Sequence, residues 1–98
     1  MKKIKVNPFK DSELLLACKV IKYVCKGKKV VLDATGCMGN MIAVSTVAET
    51  ERILNANKLK LQVIPDSDAD MESMATKCGD EIRVLFTLML HPECRPIA

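Results

Sequence analysis

The spacing of apolar positions along the chain separates strands from helices. Ile4 and Val6 alternate with Lys3 and Lys5 over 1–6, the period of a strand with one buried face and one lysine row. Asn7-Pro8-Phe9 breaks that strand, because proline lacks an amide donor and restricts the residue before it. Asp11 or Ser12 then caps a helix predicted to run to about Lys26, with Leu14, Leu15, Cys18, Ile21 and Cys25 on one face. Lys19, Lys22 and Lys26 fall on the other face, where a lysine stripe serves first as solvated charge. Gly27 fits a left-handed helix stop.

Residues 28–54 read in one pass as strand, glycine turn and amphipathic helix, and the rest of the chain packs on them. Val30-Val31-Leu32 is a short apolar run of the kind a covered strand shows. Gly36 and Gly39 bracket a turn, supplying positive φ or close backbone approach, and Asn40 reads as the N-cap of the next helix. From Met41 the apolar positions recur at helical spacing: Met41, Val44, Val47 or Ala48, and Leu54, with Glu49, Glu51 and Arg52 opposite. The helix frays around 55–57. Such a corner either cradles a phosphate or simply joins strand to helix.

Leu59, Leu61 and Val63 alternate with Lys58, Lys60 and Gln62 as a third strand, which Pro65 ends. Ile82, Val84, Phe86, Leu88 and Leu90 alternate with Arg83, Leu85, Thr87 and Met89 as a fourth. Leu85 and Met89 make the second face of this strand partly apolar, so it is either central or covered by a partner subunit, with these two residues at the interface. The tail 91–98, with two prolines, reads as irregular. The resulting order, βαβαββ, predicts an α/β two-layer sandwich. Right-handed crossovers put two helices on one face of a four-stranded mixed sheet. The length suits one domain over 1–98.

Composition narrows the class. At 49% hydrophobic and 28% charged the chain is globular rather than disordered. No run approaches the roughly 20 apolar residues that span a bilayer, and no signal peptide is visible, so no membrane partner is expected. Five cysteines without a CxxC pair argue against a disulfide framework and a zinc site. They predict a reducing intracellular setting, cytoplasmic and/or nuclear, with Cys18 and Cys25 as small core side chains. The net charge of +3 is unevenly spread: 66–80 hold five acids against Lys77, a local −4, leaving +7 on the other 83 residues. A basic body attracts polyanions.

Catalytic chemistry has little support. His91 is the only histidine, and pairing it with Cys94 would rely on the tail. Asp66, Asp68 and Asp70 open like a calcium loop, but Met71 and Lys77 stand where the glycine and closing glutamate belong. Neither GxGxxG nor GxxxxGK[ST] occurs, and no cofactor is implied. The basic residues say more: Lys10 leads into the first helix, while Lys3, Lys5, Lys28 and Lys29 lie on or beside strands and supply a positive field. With Gly36, Gly39 and Asn40 as a close-approach loop, they form a candidate grip on a sugar-phosphate backbone. Aromatic residues are limited to Phe9, Tyr23 and Phe86, the last two reading as packing residues, so base stacking is disfavoured.

These residues resemble the Alba superfamily of small dimeric chromatin and RNA-binding proteins. Lys10 stands at the second lysine of that family's G-K-K-P, and Leu14 to Val24 follow its first helix. Val30-Val31-Leu32 with Gly36 match its strand and loop glycine, and Ala43 to Glu49 resemble its A-V-x-x-V-A-E helix. The resemblance implies a βαβαββ fold, a homodimer or a heterodimer with an Alba-type protein, and non-enzymatic binding of RNA and/or DNA. Phe9 replaces the first lysine, Thr35-Gly36-Cys37 stands for the common R-G-R, and an acidic 66–80 segment replaces a basic arm. Each lost phosphate contact removes a counterion-release contribution, so a weaker affinity and a shallower salt slope are expected, with structured RNA favoured over duplex DNA. The competing expectation is a protein-interaction subunit that heterodimerises with a more basic Alba-type partner in a ribonucleoprotein particle.

Overall fold

The computed structural model describes residues 1–67 and 83–94. Its elements are β1 (Lys2–Lys5), α1 (Glu13–Val24), β2 (Val30–Thr35), α2 (Gly36–Ala56), β3 (Leu61–Ser67) and β4 (Arg83–Leu90), followed by a 3₁₀ turn at Pro92–Cys94. The sheet order is β1-β2-β4-β3, with β1 parallel to β2 and the other two pairs antiparallel. This is the predicted α/β two-layer fold with a mixed four-stranded sheet. β4 lies inside the sheet, flanked by β2 and β3, which is the central placement its partly apolar second face predicted as one alternative. The expectations for 68–82 and 95–98, including Ile82, Cys78 and most of the acidic segment, lie outside the described residues.

One core joins both helices to one sheet face: Leu16, Val20 and Val24 of α1 and Ala43 and Leu54 of α2 meet Val30, Leu32, Ala34, Leu88 and Leu90. Tyr23 and Phe86 pack against it, as expected of them. The helix faces differ from those the spacing predicts. On α1 the buried residues are Leu16, Ala17, Val20 and Val24, whereas Leu14, Leu15, Cys18 and Cys25 are exposed. Three consecutive leucines allow either stripe. The one chosen lies farther round the helix from Lys19, Lys22 and Lys26, which keeps the ammonium groups away from the core.

Helix α2 starts five residues before the predicted Met41, at Gly36, and its N-cap is Thr35 rather than Asn40. Gly36 has φ +81°, so one residue makes the corner and no separate loop is needed. Asn40 lies one turn inside, where its Nδ2 donates to the Gly36 carbonyl at 2.7 Å. The buried stripe is Gly36, Gly39, Ala43, Thr46, Thr50 and Leu54, with Met41 and Val44 exposed. Thr46 and Thr50 hide in it because each Oγ1 donates to the carbonyl four residues back, at 2.7 Å. β3 runs through Pro65 instead of ending there. It is an edge strand, and an edge has a side that requires no amide donor. No helix among the described residues is long and apolar enough to cross a membrane.

Candidate nucleic-acid interface

The parallel pairing of β1 with β2 sends both strands to the same end of the sheet, and each helix starts there. The turn holding Lys10 is built by its neighbours. Asn7 N–H donates to Asp11 Oδ2 at 2.7 Å, Phe9 N–H donates to Asn7 Oδ1 at 3.0 Å, and the Lys10 and Asp11 amides donate to the Asn7 carbonyl. Ser12 then caps α1 by accepting from Leu15 N–H at 3.3 Å. Lys10 is exposed on this turn, at the same sheet end as the Gly36 corner. Gly36 and Gly39 are both buried, and Gly39 has no positive φ. Neither glycine forms the expected close-approach loop. The exposed residues at the corner are Cys37 and Met38, in the first turn of α2, where amides lack partners within the helix. Thr35 supplies no side-chain cap there.

The helix-free face of the sheet carries a different group. Asp33 on β2 is buried and accepts from Arg83 Nε at 2.9 Å and Nη2 at 2.8 Å, a two-pronged pair across to β4. Lys3 Nζ lies 3.9 Å from the same carboxylate. Hydrogen bonding to Arg83 holds the Asp33 carboxyl below its ordinary pKa against the opposing cost of burial, helped by the charges of Arg83, Lys3 and Lys5. Part of the positive field expected of Lys3 and Lys5 is therefore matched within the sheet. Leu85 and Met89, expected at an interface, share this face. Met89 is already buried within the chain and Leu85 half-buried.

Lys28 and Lys29 precede β2 and so sit at the opposite end of the sheet from Lys10. The structure thus separates the predicted basic residues into two groups. At the Lys28 end, side chains that sequence reasoning assigned to solvent join them. One cleft of about 400 Å³ is lined by Met1, Lys2, Tyr23, Gly27, Lys28 and Lys29. A second, of about 390 Å³, is lined by Lys2, Lys3, Ile4, Lys19, Lys22 and Tyr23. Lys2 Nζ stands 5.7 Å from the centre of the Tyr23 ring. The helical spacing of Lys19 and Lys22 was a visible signal; the rotation of α1 that turns them toward the β1 edge was not.

A third surface is apolar. Phe9, Leu14, Leu15, Met38, Met41 and Val44 are exposed, from Leu14 at 53% to Phe9 at 85%, and they come from the turn and the N-terminal halves of both helices. No group of three or more His, Cys, Asp or Glu side chains able to hold a metal occurs among the described residues. No family model and no curated protein matches the chain.

Proposed function

We propose that the chain is a non-enzymatic nucleic-acid-binding protein of the Alba type. In this reading it acts as an intracellular dimer, in the cytoplasm and/or nucleus, and grips structured RNA and/or duplex DNA through backbone contacts. The observation that carries the reading is the exposure of Lys3, Lys5, Lys10, Lys28 and Lys29 around a fold of that topology, while Asp33 and Glu49 are engaged with arginines. A surface of exposed ammonium groups with few aromatics reads phosphates rather than bases.

The test is a salt-dependent titration of the protein against a DNA duplex and a structured RNA, with light scattering for its oligomeric state. Submicromolar binding by a dimer that falls steeply with salt supports the reading. Binding no tighter than the non-specific floor of roughly 10⁻⁴ M refutes it. A second reading, a subunit that heterodimerises with a more basic Alba-type protein, is favoured by the exposed Phe9, Leu14, Leu15, Met38, Met41 and Val44. Apolar exposure of this extent suits a protein partner better than a polyanion. A chain that stays monomeric alone and binds RNA only with such a partner would select it.

A further inference from the structure

We infer that the two lysine clefts at the β1 edge form one continuous phosphate-binding track, with Lys2, Lys19 and Lys22 as phosphate contacts that the Lys10 end does not supply. The inference rests on the nucleic-acid reading and adds a second place of contact to it. Lys2 and Tyr23 line both clefts, so the two are adjoining parts of one furrow between β1 and α1. Its lining contains Lys2, Lys3, Lys19, Lys22, Lys28 and Lys29 and, among the described residues, no carboxylate. Like charges gathered this closely in a concave surface repel one another, and an anion in the furrow relieves that repulsion.

The geometry also says which part of the nucleic acid is read. Lys19 and Lys22 are three residues apart on α1, an axial separation of about 4.5 Å, so both heads project on the same side. The Tyr23 ring lies beneath the Lys2 ammonium, which occupies a face that a stacking base would need. The furrow therefore takes phosphates and offers no platform to bases. β2 separates the two ends of the sheet by roughly 23 Å from Lys29 to Gly36, at a strand rise of about 3.3 Å per residue. One chain thus contacts the backbone at two separated points.

The experiment compares salt dependence of binding to a DNA duplex for wild type, Lys19→Ala/Lys22→Ala, and Lys58→Asn/Lys60→Ala. The last variant removes the same charge near the opposite edge. Each lost phosphate contact lowers the slope of log K against log salt by about 0.9, so the α1 variant should be shallower by about 1.8. The β3-side variant should keep the wild-type slope. Lys28→Ala/Lys29→Ala, which tests the adjoining cleft from outside the helix, should also lower the slope. Circular dichroism melts confirm that each variant is folded. A wild-type slope in both cleft variants overturns the track while leaving the nucleic-acid reading intact, and so does an equal loss in the β3-side variant. Absence of wild-type binding to the duplex overturns the track, and absence of binding to a structured RNA as well overturns both.

Discussion

Replacing Asp33 with asparagine keeps the side chain's shape and removes the charge on which Arg83 closes. Two hydrogen bonds, at 2.9 and 2.8 Å, join Arg83 to a carboxylate whose side chain is only 9% exposed. Hydrogen bonds to a charged group contribute about 1.5–3 kcal/mol. The Arg83 side chain is 41% exposed, and solvent screening there favours the lower part of that range. Lys3, at 3.9 Å and 56% exposed, adds less than about 1 kcal/mol. Because asparagine still offers Arg83 one carbonyl acceptor, the expected loss is about 2 kcal/mol. For a domain of this size that lowers Tm by roughly 8–16 °C. The pH dependence has a definite sign. The folded-state pKa of Asp33 is depressed, so its stabilisation is fully present above the unfolded value of about 3.9 and is lost as pH falls through the folded one. Thermal melts of wild type and Asp33→Asn at descending pH should therefore converge in acid. Equal Tm values at neutral pH, or a gap unchanged down to about pH 2, would refute the reasoning.

The corrected helix faces predict that Leu16→Ala costs about 2–5 kcal/mol in urea unfolding while Leu15→Ala stays within about 0.5 kcal/mol; Leu16 is 1% and Leu15 64% exposed. Gly36→Ala should cost about 1–2 kcal/mol because φ +81° strains any residue with a Cβ. Gly39→Ala, whose Cβ would meet nothing closer than the Ala34 carbonyl carbon at 4.0 Å, should be neutral or stabilising by up to about 1 kcal/mol in the same assay. Lys10→Glu should weaken binding to all nucleic-acid sequences alike, and an unchanged affinity in the titration would remove Lys10 from the interface.

The element order was legible because alternation and helical spacing are local signals. Val84, Phe86, Leu88 and Leu90 announce a strand wherever that strand ends up. The azimuth of a helix is not local in this way. Leu14, Leu15 and Leu16 are chemically equivalent, and only the approach from the Asn7–Asp11 turn and the position of the sheet decide which is buried. Small residues hid the face of α2 for a related reason. Gly36, Gly39, Ala43, Thr46 and Thr50 carry little apolar signal, while Met41 and Val44 carry much and point outward. Of the candidate interface, the lysines themselves were visible. Their division between two ends follows from the parallel β1–β2 pairing, and the furrow depends on how α1 lies against β1. Asp33 was hidden in an apolar strand, since its partner Arg83 is fifty residues away.

The order β1-β2-β4-β3 has a consequence for synthesis. β4 is the last of these strands to leave the ribosome, yet it lies between β2 and β3, which do not pair with each other. Until residues 83–90 emerge, β2 has β1 on one side and an open edge on the other, and β3 has no strand neighbour. Long-range pairings of this kind form slowly, and an apolar strand with an open edge invites wrong partners while it waits. The sheet is completed by insertion rather than by extension, so the nascent chain passes through a late interval in which Val30 to Ala34 depend on the helices for cover.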